Sequence, residues 1–368
     1  MTHLKFALVG CGRIANKHIE ALKRIKEARL VALCDQVETR AKELAERLAI
    51  PYYTNYHDML QNQEIDVVNI LTPSGLHAQQ TMDIVENYKK HIVCEKPMAL
   101  KLEEADQMIE VCQKHQVRLF VVLQNRFNPA VQALKRALDA GRFGRLVLGA
   151  VRVRWTREQG YYDADSWRGT WELDGGCLTN QASHHIDLLT WLLGEPVEVT
   201  AKTATRLLNI EVEDTGAAII RFRNGALGII EATTATRPVN LEGSLSLLGE
   251  KGAVEIGGFN ANQIKTWQFA DETEEDERIR KTSMQIPEET FAYGHQKYLE
   301  HVIHSLLYDK PALVDGQEGR KSLELLHAIY ESAESGQSIP LRFIPKKVNW
   351  GENYETVSQR TSRKKCVY

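Results

Sequence analysis

Through the first third of the chain, short apolar runs alternate with helical patterns, and nothing else in the sequence restricts the fold as much. Lys5–Val9, Leu30–Cys34, Val67–Leu71, His91–Cys94 and Arg118–Leu123 are too short for helices and show no polar face, so they read as strands buried on both sides. Between them, Ile14–Ile25, Thr39–Leu48, Leu76–Tyr88 and Leu102–His115 carry helical spacing. Repetition of strand, helix and strand requires a parallel sheet with helices on its faces, an α/β arrangement. Ligands of such sheets bind beyond the carboxyl ends of the strands, which puts Gly10, Asp35, Thr72 and Glu95–Lys96 on one crevice.

From Asn128 the pattern changes. Asn128-Pro129 opens a helix that ends near Gly141. Longer alternating strands follow at Leu146–Trp155, Val197–Arg206, Ala217–Phe222, Ala226–Thr233 and Gly243–Leu248, with Asn224-Gly225 as a hairpin turn, so this half is largely antiparallel. Helices at Phe291–Leu307 and Glu318–Ser335 close it, and Asp271–Arg280 reads as a solvated acidic loop. The 368 residues thus divide into a nucleotide-binding domain over 1–123, a second domain over 124–345 and a polar, basic tail over 346–368.

Charge and cysteines bound the function classes. With 46 basic against 49 acidic residues, the chain has no field to hold a nucleic-acid backbone or draw it to an anionic membrane. No apolar run approaches the ~20 residues of a membrane span, and the expected location is the cytoplasm. Six scattered cysteines without a C-x-x-C pair suit reduced, buried thiols better than disulfides or zinc, and no metal is expected.

Gly10-Cys-Gly12-Arg-Ile-Ala15 matches the dinucleotide fingerprint between a strand and a helix. The first glycine permits the tight turn, the second admits a pyrophosphate to the backbone, and the helix amino terminus offers N–H groups to it. Asp35, twenty positions after Ala15, is placed to accept hydrogen bonds from ribose hydroxyls. It would repel a 2′-phosphate, which favours NAD over NADP, although Arg40 lies one helical turn beyond.

Two clusters carry candidate chemistry. In Glu95-Lys96-Pro97, alternation along an extended segment turns only one of the two charged side chains to the ligand, and the position of Lys96 gives it the functional role over that of a surface lysine. In Gly175–Asp187, Asn180 and His184 are four apart and share a helical face; His184 suits a proton acceptor and Asn180 a positioning group. His185 and Asp187 point elsewhere, and adjacent histidines do not converge on one metal ion.

The fingerprint, Thr72-Pro-Ser-Gly-Leu-His77, Glu95-Lys96-Pro97 and the Gly175–His184 segment together resemble the Gfo/Idh/MocA oxidoreductases, from about Leu4 to Phe343. The resemblance implies an N-terminal Rossmann domain with a doubly wound parallel sheet. It also implies a C-terminal α+β domain whose open-faced sheet builds a homodimer or homotetramer. Where the family's helix commonly carries D-x-x-x-H, this chain has Asn180, a departure from the inositol-dehydrogenase pattern. Gln124-Asn-Arg126-Phe-Asn128-Pro, Tyr161-Tyr162, Ser166-Trp-Arg168-Gly and Asn180-Gln-x-Ser-His184 look like the branch that oxidises the 3-hydroxyl of UDP-N-acetylglucosaminuronate in bacterial surface-polysaccharide synthesis.

Carried onto these positions, the resemblance implies NAD contacts from Gly10, Gly12, Arg13, Ile14 and Asp35, and from Thr72, His77, Glu95, Lys96, Gln124 and Arg168. A nucleotide-sugar substrate would meet Lys96, Arg126, Arg154, Tyr161, Tyr162, Asn180 and His184. Arg126, Arg152, Arg154, Arg157 and Arg168 cluster at the start of the second domain, where a diphosphate and a carboxylate need cations; at least half of them suit ordinary surface arginines. His184 as base with Lys96 on the reacting oxygen, or the reverse, both fit. A free-sugar or inositol dehydrogenase and a non-enzymatic NAD-binding regulator are the alternatives.

Overall fold

The computed structural model describes residues 3–259, 261–283 and 293–341. The tail over 346–368 and residues 291–292 of the closing helix lie outside them. The first sheet has six parallel strands: β1 (Leu4–Val9), β2 (Ala28–Cys34), β3 (Tyr52–Tyr53), β4 (Val67–Ile70), β5 (His91–Cys94) and β6 (Leu119–Val121). Their order is β3-β2-β1-β4-β5-β6, so the chain winds outward from β1 in both directions and leaves a switch point between β1 and β4. Phe6, Leu8, Leu33, Val67, Ile70, Ile92 and Val93 are fully buried, as strands covered on both faces must be. The two-residue β3 and the helix Tyr56–Asn62 were not expected, being too short to show a period.

The second sheet has eight strands: β7 (Leu146–Arg154), β8 (Pro196–Ala204), β9 (Thr215–Phe222), β10 (Leu227–Thr233), β11 (Glu242–Gly249), β12 (Gly252–Gly257), β13 (Gln263–Phe269) and β14 (Ile339–Pro340). They lie in the order β13-β12-β11-β7-β10-β9-β8-β14, antiparallel except where β10 runs parallel to β7. Helices Pro129–Asp139, Ser183–Leu193 and Gly316–Ser335 supply buried side chains to the core on one face. The other face is open and shows Ile219, Leu227, Ile229 and Leu248 to solvent.

Two expectations change. The acidic stretch at 271–280 is in large part a helix, Glu274–Ser283, whose first turn collects Glu274, Glu275, Asp276 and Glu277 where the helix dipole favours carboxylates. Its Asp276 is fully buried, receives Arg142 and the Trp267 indole N–H at 2.6 Å, and is held well below the usual carboxylate range by Arg142. Second, the chain does not stay in the second domain after residue 124. Tyr298, Leu299, Val302, Ile303 and Val314 return to the core of the first sheet, and Val121 N–H donates to the Val314 carbonyl at 2.9 Å.

Three contacts fix the halves face to face beside the crevice. Gly75 N–H donates to the Leu173 carbonyl at 3.1 Å, and a Cβ at Gly75 would stand 2.1 Å from the Glu172 carbonyl oxygen, so only glycine allows this approach. Arg40 pairs with Asp165 at 2.8 Å, and His327 Nε2 meets the Leu100 carbonyl at 3.0 Å.

Candidate active site

The cofactor turn follows from its glycines. Gly10 sits at φ +103°, and a Cβ there would lie 2.7 Å from the Leu71 carbonyl carbon. Gly12 faces empty space, with no atom within 4 Å of where its Cβ would be, a gap of the kind a pyrophosphate needs. Asp35, at the end of β2, accepts from Cys11 N–H at 2.7 Å and Val37 N–H at 2.8 Å, which fixes its carboxylate beside the turn. Arg13 is exposed, with its guanidinium carbon 5.5 Å from the centre of the Tyr161 ring, and Ile14 precedes the helix Ala15–Lys23. Arg40 is engaged by Asp165, so the arginine that left a 2′-phosphate conceivable has another partner. These residues fit a dinucleotide.

At the end of β5 the chain sends Glu95 and Lys96 to opposite sides. Glu95 is buried and accepts from His18 Nε2 at 3.0 Å, with His295 Nε2 at 4.0 Å. Burial alone would raise its carboxyl, but the His18 hydrogen bond and the charges around it bring it down to about 2. The ligand atoms of His18, Glu95 and His295 lie within 4.8 Å of one another, a grouping the sequence did not suggest because its members are 77 and 200 positions apart. Glu95 and His18 are hydrogen-bonded and His295 packs edge-on against His18, ring centroids 5.4 Å apart, a buried cluster beside Lys96 in the chain. His77 is buried too, its ring nitrogens against the carbonyls of Pro97 (2.9 Å) and Thr72 (2.8 Å), so it clamps the lysine turn to the Thr72 loop.

Lys96 Nζ crosses the crevice and donates to the Asn180 backbone carbonyl at 2.6 Å. Burial lowers the pKa of this amine below its ordinary 10.5, partly offset by Glu95. Asn180 and His184 do not share one regular helix as expected: Cys177–Gln181 form a π turn, and the α-helix begins at Ser183. The turn presents the Asn180 carbonyl to Lys96 and sends the Asn180 amide to the buried Asp174 carboxylate. Turns of this kind are frequent at functional sites. His184 follows, with the Gln124 side-chain amide 3.0 Å from its Nε2 and its Nδ1 buried without a partner in the described residues. Burial first, and the Lys96 charge next, push the imidazole well below 6.5, so it is neutral at pH 7.

Behind the turn stands Glu213, which the sequence reading missed. Its Oε1 accepts from Leu178 N–H and the Tyr330 hydroxyl, both at 2.8 Å, and Tyr330 in turn lies 2.8 Å from Thr179 Oγ1. Burial drives this carboxyl up to about 7. The Gly175-Gly176 pair and the two acids Glu213-Asp214 at a strand start were the available signals.

The arginines sort by their partners. Arg126 is fully buried; its guanidinium is bidentate to Asp187 at 2.8 and 2.6 Å and reaches Glu318 at 2.8 Å, so it ties two helices together and is spent away from the substrate. Arg154 points to the open face of the second sheet, held by Glu231 at 2.6 Å and Glu242 at 3.2 Å, opposite the helices that carry the site. Tyr162 is buried with its hydroxyl 3.4 Å from Thr234, a packing role. Tyr161 stands in the crevice, where Arg168 donates to its hydroxyl at 2.7 Å and three guanidinium carbons, of Arg13, Arg157 and Arg168, lie within 5.5 Å of its ring. Asp187 and His185 face away from the crevice; His185 packs edge-on against Trp155.

The architecture and this arrangement define an oxidoreductase with a dinucleotide turn facing a lysine and a histidine. Residues 4–123 match the oxidoreductase family's NAD-binding Rossmann fold and residues 135–341 its C-terminal alpha/beta domain, so the chain belongs to the Gfo/Idh/MocA family. It is 27% identical over 348 residues to myo-inositol 2-dehydrogenase of Thermotoga maritima, covering 93% of this chain and 99% of that one. Among solved structures it is similar to the WlbA dehydrogenase of Bordetella pertussis in complex with NADH and UDP-GlcNAcA (44% identity, TM-score 0.89, 93% of this chain and 99% of that one). The WlbA enzyme of Chromobacterium violaceum, with the same two ligands, matches at 44% and TM-score 0.88 over 94% and 98%.

Proposed function

We propose that the protein oxidises the 3-hydroxyl of a UDP-N-acetylglucosaminuronate-type nucleotide sugar. The carrying observation is the meeting of Lys96 and the Asn180 carbonyl across the crevice, with neutral His184 on the same segment as that carbonyl. The 44% identity to two dehydrogenases solved with NADH and UDP-GlcNAcA supports the substrate class. His184 takes the hydroxyl proton, and the Lys96 ammonium stabilises the charge that develops on that oxygen as its C–O bond becomes a carbonyl. NAD, when bound, accepts the hydride from the same carbon. Asn180 acts through its carbonyl, which aims Lys96, and through its amide, which Asp174 holds.

The same reading places the enzyme in the cytoplasm, in bacterial surface-polysaccharide synthesis, and as a homodimer or homotetramer. Titration of the purified protein with UDP-N-acetylglucosaminuronate, followed by the absorbance of reduced nicotinamide, is expected to show turnover. A flat trace with that compound and a rise with myo-inositol would instead favour the inositol reading that the Thermotoga relative suggests.

A further inference from the structure

Arginine is expensive to leave near a crevice without a carboxylate, because its charge is permanent and its fork is shaped for a planar oxyanion. Of the three arginines around Tyr161, Arg168 is paired with Asp165 at 3.2 Å, and that aspartate also serves Arg40. Arg157 has no carboxylate partner in the described residues. Its Nη1 donates only to the carbonyl of its neighbour Thr156 at 2.8 Å, and its Nε–H is buried with no acceptor. The guanidinium is nonetheless held in place: its carbon lies 5.5 Å from the Trp155 ring and 5.2 Å from the Tyr161 ring. The backbone is fixed as well, with Arg157 N–H donating to Thr234 O at 2.9 Å and its carbonyl accepting from Arg237 at 3.0 Å.

The guanidinium sits over the Tyr161 ring, and the Tyr161 hydroxyl accepts from the Gln181 amide at 3.3 Å, one residue beyond the Asn180 carbonyl that Lys96 meets. An anion gripped by Arg157 therefore belongs to the same end of the substrate as the hydroxyl that Lys96 handles. Resting on the function proposed above, we propose that Arg157 grips the carboxylate of the hexuronate ring and so selects a sugar acid over the neutral sugar nucleotide. The carboxylate would supply an acceptor to a buried N–H that has none among the described residues, a gain that the neutral sugar does not bring.

The test compares wild type with Arg157→Gln and Arg157→Lys, using UDP-N-acetylglucosaminuronate and UDP-N-acetylglucosamine as substrates and UDP as a competitive inhibitor. Arg157→Gln is expected to lose roughly tenfold or more in kcat/KM for the acid, chiefly through KM, while the inhibition constant of UDP stays within about twofold. Arg157→Lys should recover part of the loss, since it keeps the charge without the fork. NADH fluorescence titration and the thermal transition, unchanged in both variants, would exclude a folding defect; if Arg157→Gln does not fold, Arg157→Lys alone must still show the KM increase. An unchanged preference for the acid would overturn the proposal, and so would weakening of UDP equal to that of the acid, which would assign Arg157 to the diphosphate. No turnover of the acid by wild type would instead sink the functional reading.

Discussion

Lys96 and His184 share one crevice, and burial pushes the pKa of each in the direction that favours its neutral form. For a base that must be unprotonated and an ammonium that must keep its proton, the two limbs of the pH profile follow. The acid limb of kcat/KM should fall below pH 6.5, the ordinary imidazole value, and the alkaline limb below pH 10.5. A wild-type acid limb at or above 6.5, or one that persists unchanged in His184→Ala, would take the proton-acceptor role from the imidazole. What was legible at this scale was residue type at a strand end. Lys96 and Asp35 stand out because a parallel sheet brings its carboxyl ends together whatever the rest does. Arg126 and Arg157 are alike in sequence, and only tertiary pairing with Asp187 and Glu318 separates the structural one from the unpaired one.

At the scale of an element, the π turn is the piece that periodicity could not deliver. A run with residues four apart reads as α-helix, and the extra residue at Cys177–Gln181 shows only once its carbonyls find their partners. The Glu274–Ser283 helix was missed for the opposite reason, because four acids in a row resemble a solvated loop until the helix dipole is considered. The π turn is braced by Glu213, whose folded value of about 7 lies above its ordinary 4.5. Stability from this group is therefore fully present below pH 4.5 and is lost as pH rises through 7, by about 3 kcal/mol in all. Glu213→Gln keeps an acceptor for Leu178 and Tyr330 without the charge, so its melting temperature should gain on wild type from about pH 5 to about pH 8. A difference that stays level with pH would mean the carboxyl is not buried in its ionisable form.

At the scale of the whole molecule, the first sheet was legible almost strand for strand because each apolar run is covered on both faces. The return of Tyr293–Leu307 to that sheet was not, since an amphipathic helix does not state which core it joins. The open face of the second sheet carries Ile219, Leu227 and Ile229 at 60%, 47% and 39% exposure, Ile219 in register with Ile229 and Leu227 two positions along the same strand as Ile229. Such a patch needs a cover. If a second copy supplies it, Ile219→Glu with Ile229→Glu should turn the oligomer into a monomer by light scattering while NADH still binds. An unchanged mass would place the subunit contact elsewhere.

Lys96 comes from one half of the molecule, while the carbonyl that aims it comes from the other, and Gly75 sets the distance between them. The two halves are therefore not interchangeable modules. In a chimera that joins residues up to Leu123 to another relative's second half, the borrowed part must bring both a carbonyl where Asn180 has one and a backbone that fits against Gly75. Since Tyr298, Leu299 and Val302 of the second half also fill the core of the first sheet, recombination within this fold would transmit turnover only when the two halves have been inherited as a matched pair.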